Sequence, residues 1–232
     1  VVVASERFPL SAISLAEVEQ EAALLTRIDR KYLVSPDVWS DVMSEVEGLR
    51  ALEIDGLRLF GYASVYYDTP ELESYSAAAR RRPTRYKVRT REYLDTGGRA
   101  IEVKLRSAHG ETVKHRAWLV DDAAAGRTLA GEARDFVASF PAVSPSVDRL
   151  ETTLRTGYER ATLVAAEARV TVDRGISATD RTGARLDFGD TLIVETKSAR
   201  RAGDVDRALW ARGVRPSRVS KYCTTLAALQ PD

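Results

Sequence analysis

The sequence holds a single cysteine, Cys223, so no disulfide can close within the chain, and this cysteine usage points to a reducing compartment. Its two histidines, His109 and His115, are too few to build a Cys/His zinc site with that one thiol. No apolar run approaches the roughly 20 residues of a membrane-spanning helix. The opening stretch, VVVASERFPL, lacks the basic start and the long apolar core of a secretory signal. Together these absences predict a cytoplasmic protein without a membrane segment of its own. Net charge is lacking too: 35 Lys and Arg stand against 34 Asp and Glu, which leaves +1. Such a balance does not announce a nucleic-acid binder, and any basic site has to arise by segregating charge within the chain. There is no internal repeat, low-complexity linker or clear boundary, so the 232 residues, 44% of them apolar, are expected to form one domain over 1–232.

What is present is alternation. In Arg85-Tyr86-Lys87-Val88-Arg89-Thr90-Arg91, four cations share one parity and the packing residues share the other. In a strand this places the cations on one face, about 7 Å apart. Like charges so spaced repel, and a face that keeps them calls for something anionic in front of it.

The surrounding pattern is that of an α+β protein. Ser14 with Glu17 forms a capping box for a helix over 15–25. A strand is expected over 26–34, then a helix opened by Pro36 with a Val38, Trp39, Val42, Met43 and Val46 stripe. Asp55-Gly56 signals a hairpin turn. Further strands are expected over 57–68, 85–94, 99–107, 111–120, 152–165, 169–173 and 190–198. Helices are expected over 69–79, 133–140, 204–212 and 220–229, and the weakly patterned 175–188 is expected to hold one more strand. Strands in adjacent hairpins with helices at the ends and in the gaps predict one large antiparallel sheet.

The charged face recurs. Glu102, Lys104 and Arg106 oppose Ile101, Val103 and Leu105; Lys114 and Arg116 share a face; Arg169 and Asp173 oppose Val170 and Val172; and Glu195 shares a face with Lys197. Arg27, Asp29 and Lys31 alternate in the first strand, Arg160 lies in a later one, and Arg218, Ser220 and Lys221 come near the end. Exposed sheet faces ordinarily mix signs, because directly opposed like charges destabilise a pair. A sheet closed into a barrel with this face inward would have a lumen lined by Arg and Lys with a few carboxylates. That lumen would suit a polyanion, and its carboxylates suit a divalent cation travelling with the anion.

Nine segments, in order, resemble the VTC domain, the polyphosphate polymerase domain of the triphosphate tunnel metalloenzyme superfamily, in its bacterial form. They are TRIDRKYLVS, VYYDTPEL, RYKVRTREY, IEVKLR, ETVKHR, YERATL, RVTVD, LIVETKS and RVSKYC. The resemblance covers nearly the whole chain and implies an antiparallel β-barrel, the triphosphate tunnel, flanked by helices. It implies ATP and polyphosphate or triphosphate as ligands, with Mn²⁺ or Mg²⁺. Arg89, Arg91, Lys104 and Arg160 are the expected catalytic residues. Lys31, Lys87, Lys114, Arg169, Lys197, Arg218, Ser220 and Lys221 are expected to bind phosphate. Glu195 is the expected metal ligand, with Glu102 and Asp173 beside it, although Asp173 reads equally as a partner of Arg169 or another cation and Glu102 as the counter-charge of Lys104.

The superfamily's opening Glu-x-Glu-x-Lys is here Arg27-x-Asp29-x-Lys31, which argues against a thiamine-triphosphatase or adenylyl-cyclase reading. The expected activity is transfer of the ATP γ-phosphoryl group to a growing polyphosphate chain. A metal-dependent tripolyphosphatase or nucleoside triphosphatase, and a non-catalytic polyphosphate-binding module, are the alternatives. Eukaryotic members carry a regulatory domain and membrane segments, so translocation of product would fall to a membrane partner protein. No nucleic-acid partner is expected, since Tyr86 lies on the apolar parity and offers no stacking platform to a single strand. His115 falls on the non-basic parity and reads as structural, and Cys223 reads as a buried helix residue.

Overall fold

The computed structural model describes residues 10–23, 28–108, 112–120, 126–165, 168–198 and 201–230. Arg27 and the His109-Gly110 turn lie outside the described residues. The strands are β1 (Ser11–Ile13), β2 (Ile28–Val34), β3 (Arg50–Leu52), β4 (Phe60–Asp68), β5 (Arg85–Tyr93), β6 (Arg99–Arg106), β7 (Thr112–Leu119), β8 (Glu151–Ala165), β9 (Ala168–Asp180), β10 (Arg185–Asp187) and β11 (Leu192–Ser198). The helices are α1 (Leu15–Ala23), α2 (Pro36–Glu45), α3 (Glu73–Ala79), α4 (Gly131–Ala138), α5 (Asp204–Ala211) and α6 (Lys221–Leu229), with a 3₁₀ turn over Ser144–Arg149.

The strand order is β2-β11-β9-β8-β4-β5-β6-β7, with β10 beside β9 and β3 beside both β1 and β8. β2 and β9 flank β11 antiparallel, and β4, β5, β6 and β7 form an antiparallel meander. The chain divides into two units. The first comprises 1–61, 158–176 and 187–219; the second comprises 62–157, 177–186 and 220–232.

In the first unit Tyr32 and Val34 of β2 point into an apolar core. Tyr32 and Val34 pair in register with Val194 and Leu192 of β11, and α2 and α5 cover them with Trp39, Val42, Val205 and Leu209. The odd residues, Asp29, Lys31 and Leu33, take the other face. In the second unit Val88, Val103 and Ile101 pack against Val137, Val143, Val147 and Leu150, contributed by α4 and the segment that follows it. His115 packs its ring on Phe140 with centroids 4.8 Å apart, on this apolar side, as its parity requires.

The local signals explain most of these elements. Ser14 and Glu17 exchange the reciprocal bonds of a capping box: the Ser14 N–H donates to Glu17 Oε2 at 2.9 Å, and the Glu17 N–H to Ser14 Oγ at 3.3 Å. Asp55 (φ 51°) and Gly56 (φ 77°) make a two-residue turn closed by paired Ile54 and Leu57 backbone bonds. β9 differs from expectation. It runs to Asp180, through Gly175, because a glycine at positive φ bends this long strand without ending it. The parallel pair of β1 with β3 was not predicted, because three-residue strands are too short to display a period of two.

One buried carboxylate ties α5 to the sheet. Asp206 is fully buried and accepts from the Tyr32 hydroxyl at 2.7 Å, Thr196 Oγ1 at 2.6 Å and the Gly203 N–H at 2.9 Å. Arg30 Nη1 lies 3.4 Å away and also donates to Ser198 Oγ. These contacts fix β2 and β11 from the apolar side, leaving Lys31 and Glu195 on the opposite face. Asp206→Asn removes the charge and sets amide hydrogens against hydroxyl donors. We expect it to cost about 3 kcal/mol. A chemical denaturation curve unchanged to within about 0.5 kcal/mol would show the network to be dispensable.

Candidate phosphate-binding site

The basic face of the second unit is built in rows. Lys87, Lys104 and Lys114 are directly opposed across β5, β6 and β7. Arg85 is opposed to Arg106 one repeat away. One repeat in the other direction the row reads Tyr66, Arg89, Glu102 and Arg116. The next reads Ser64, Arg91, Ala100 and Trp118.

Glu102 is the counter-charge within this face and is buried. Its carboxylate accepts from Arg89 Nε at 2.7 Å and from Lys114 Nζ at 2.6 Å, and Arg91 Nη1 approaches to 3.9 Å. Burial alone would raise this carboxyl, but Arg89, Arg91 and Lys114 outweigh burial and hold it well below the usual carboxylate range. The Lys114 ammonium is pushed down to about 8, because burial and the neighbouring Arg91 and Arg89 outweigh its bond to Glu102.

Two polar groups on this face have no protein partner. Arg91, 7% exposed, has no acceptor for its Nε, and the buried Ser64 Oγ opposite it is also unsatisfied. Burying such groups costs free energy unless a ligand or water completes them. Tyr66 also belongs to the site. Its hydroxyl accepts from Arg89 Nη1 at 3.0 Å, and its ring stacks on Tyr222 of α6 at 5.0 Å. Burial would raise the Tyr66 phenol, yet Arg89, Lys221 and Arg91 hold it below its ordinary value. Ser220 caps α6 and accepts from Lys87 Nζ at 2.8 Å, which brings Lys87, Ser220 and Lys221 to one corner of the face.

The first unit carries a second basic face. Glu195 of β11 is paired in register with Lys31 of β2, whose Nζ lies 2.9 Å from its carboxylate. Lys197 Nζ donates to Glu195 at 2.5 Å and to Asp29 at 2.7 Å, bridging the two carboxylates. Burial would raise Glu195, but Lys31, Lys197 and Arg160 depress it well below the usual range. Arg160 grips Asp173 bidentately at 2.6 and 2.9 Å, so both Asp173 oxygens already face a guanidinium. Arg169 is directly opposed to Lys197. Arg218 is exposed, one residue beyond Ser217, whose N–H donates to the Lys31 carbonyl at 2.7 Å.

The expected residues therefore gather into two sets. Lys87, Arg89, Arg91, Glu102, Lys104, Lys114, Ser220 and Lys221 lie in the second unit, and Lys31, Arg160, Arg169, Asp173, Glu195, Lys197 and Arg218 in the first. Among the described residues no cluster of three or more His, Cys, Asp and Glu side chains could by itself hold a metal. The donors nonetheless fit a hard divalent cation: Glu195 and Asp29 already converge on one cation, the Lys197 ammonium. Mg²⁺-type sites take one or two carboxylates and complete their shell from phosphate and water. Sequence reasoning missed Tyr66 and Ser64 as site residues, and placed Asp29 on the basic face without assigning it a role. The signal was available for Tyr66 and Ser64, since they share the parity of β4 that pairs with Arg89 and Arg91.

Known structures share this architecture. An adenylyl cyclase-like protein from Hippeastrum, described as having a dominant triphosphatase activity, is 14% identical with a TM-score of 0.58, covering 89% of this chain and 98% of its own. An adenylate cyclase-like protein from Bacillus halodurans is 14% identical with a TM-score of 0.54, over 87% of this chain and 97% of its own. A Pyrococcus horikoshii protein is 12% identical with a TM-score of 0.51, over 87% and 99%. At these identities the likeness shows the fold alone: an antiparallel sheet flanked by helices. The chain itself belongs to the VTC domain family, which matches it over residues 26–230. No curated protein sequence matches it.

Two outcomes follow from the Glu102 cluster. Its depressed carboxyl contributes stability that is present above the ordinary value of about 4.3 and is lost as pH falls toward the folded-state value. Glu102→Gln should lower stability by about 3 kcal/mol at pH 7, and its gap to wild type should close below about pH 4. Inorganic tripolyphosphate should raise the melting temperature of the variant more than that of wild type, since the anion replaces the lost counter-charge. A parallel pH profile for the two proteins would overturn this account. The second outcome concerns Lys114, which loses its charge as pH rises through about 8. Tripolyphosphate affinity should fall several-fold between about pH 7 and 9, and Lys114→Arg should flatten the profile. Titration calorimetry across that range decides it.

Proposed function

We propose that the chain is a metal-dependent phosphotransferase that extends polyphosphate from ATP. The observation that carries this reading is the row of directly opposed Lys87, Lys104 and Lys114, with Arg89 and Arg91 beside it. Opposed like charges destabilise a sheet, and a phosphate chain offsets them along the length of the face. Membership of the VTC family supports phosphate chains as the ligand.

Phosphoryl transfer asks for positioning and charge neutralisation more than for covalent help from the protein. A terminal phosphate oxygen of the acceptor forms a bond to the γ-phosphorus of ATP. The bond from that phosphorus to the β,γ-bridging oxygen breaks, and its electron pair leaves on ADP. The acceptor oxygen is already anionic, so no general base is required. Arg89 and Arg91 present planar donors that bind phosphate oxygens bidentately, while Lys87, Lys104, Lys114 and Lys221 act as point charges. Arg160, fixed by Asp173, and Arg169, Lys31, Lys197 and Arg218 serve phosphate in the first unit. A divalent cation held by Glu195 with Asp29 would offset charge on phosphate oxygens bound by the first unit. Tyr66 orients the Arg89 guanidinium.

A second reading is hydrolysis, favoured by the dominant triphosphatase activity of the Hippeastrum protein with the same fold. The two differ in whether water or phosphate attacks. Incubation with ATP and Mn²⁺, with separate assay of ADP, free phosphate and gel-resolved polyphosphate, tells them apart. ADP matched by polyphosphate is the expected result, with loss on the order of 10³-fold in Arg89→Ala and comparable loss in Glu195→Gln. ADP matched by free phosphate would make the protein a hydrolase. Tight polyphosphate binding without ADP would leave a binding module.

A further inference from the structure

The basic face of β5–β7 changes character at one end. Beyond the Arg89 row the cations give way to rings. Trp118 is directly opposed to Ala100, and Ala100 to Arg91, so the indole shares the face of the phosphate-binding arginines. Ala100 is too small to cover the ring, and Trp118 leans on Tyr93 with centroids 5.3 Å apart. Tyr93 meets Tyr62 edge-on, also at 5.3 Å. Two guanidiniums attend the rings: Arg91 lies 5.4 Å over Tyr62, and Arg116 lies 4.8 Å over Trp118 while donating to the Tyr93 hydroxyl at 3.3 Å. Gly98, at φ +91°, backs the indole so closely that a Cβ there would come within 3.2 Å of it. Trp118 is nonetheless 55% exposed, whereas Trp39 is fully buried.

We propose that Trp118, Tyr93 and Arg116 form a base subsite that takes the purine ring of a nucleoside triphosphate whose phosphates lie on Arg91 and Arg89. The inference rests on the reading of this face as a triphosphate site. A bare phosphate chain gains nothing from an aromatic ring, so the change from cations to rings marks where a ligand ceases to be phosphate. Flat aromatic and guanidinium surfaces stack any base, and loss of one such ring weakens binding by roughly 5- to 100-fold. The subsite is continuous with the phosphate rows, since Arg91 is one step across Ala100 from Trp118 and one strand repeat, about 7 Å, from Tyr93. It gives the donor nucleotide a contact that the growing chain lacks, and so a way to tell the two apart.

The test compares ATP with inorganic tripolyphosphate by calorimetry on the full chain, using wild type, Trp118→Ala, Trp118→Phe and Arg116→Ala. Trp118→Ala should weaken ATP binding about tenfold or more, leave tripolyphosphate within about twofold of wild type, and be largely rescued by phenylalanine. Arg116→Ala should weaken ATP more than tripolyphosphate. In wild type, ATP should quench a tryptophan emission component that Trp118→Phe lacks, and tripolyphosphate should not. Equal losses for the two ligands in Trp118→Ala would make the indole structural and overturn the subsite, as would no loss for either. Binding of neither ligand to wild type would overturn the triphosphate reading itself, a result separable from the first because it appears without any substitution.

Discussion

Repulsion between directly opposed cations is the constraint on which the rest depends. Across β5, β6 and β7 the Lys87, Lys104 and Lys114 row sets like charge against like charge, and Arg85 with Arg106 repeats it. Nothing in folding rewards that arrangement. The apolar parity of the same strands, Val88, Val103 and Ile101, supplies the packing that carries it. Each strand thus contributes one face to stability and spends the other on charge, and the period of two keeps the obligations apart.

The carboxylates on these faces make the charge tolerable without cancelling it. Glu102 answers Arg89, Arg91 and Lys114 together, Glu195 answers Lys31 and Lys197, and Asp173 takes both nitrogens offered by Arg160. In the cluster around Glu102 the cations outnumber the carboxylate they share, whereas Lys31 and Lys197 are matched by Glu195 and Asp29. The excess charge is therefore held in fixed geometry before any anion arrives. Donors held in place in this way need no reorganisation when an anion binds. Asp206 works from the reverse side of β2 and β11, and its contacts explain why Lys31 and Glu195 stand in register.

Much of this was legible in the sequence because strict alternation survives translation into structure. The meander of β5, β6 and β7, the gathering of their cations on one face and the place of His115 follow from parity and hairpin adjacency alone, whereas the pairing of Glu195 with Lys31 joins strands far apart in the chain and does not. What was not legible depends on register and rotamer. Parity could not choose between Arg169 and Arg160 as the partner of Asp173, since both point to the same side. Glu102 reads in the sequence as the counter-charge of Lys104, its neighbour two residues on, and parity gives no sign of the bonds it accepts from Arg89 of β5 and Lys114 of β7 across the ladder. The three-residue strands β1 and β3 carry no period. Tyr93 and Trp118 share the parity of the cations on their own strands, whereas Tyr66 lies on β4, whose pairing with β5 is needed to place it on the charged side.

On β5 the residues of the charged parity run Arg85, Lys87, Arg89, Arg91 and Tyr93, and on β7 they run Lys114, Arg116 and Trp118. Both strands pass from cation to ring in the same direction, and the turn at Gly98 lies against the last ring. A ligand with anionic and aromatic ends is matched by a surface whose chemistry changes along one strand direction while its backbone does not. Since the opposite parity carries the core, residues on this face can change one at a time with little demand on the fold. Discrimination between a nucleotide and a bare phosphate chain then needs no separate pocket, only a different side chain at the end of strands that already exist.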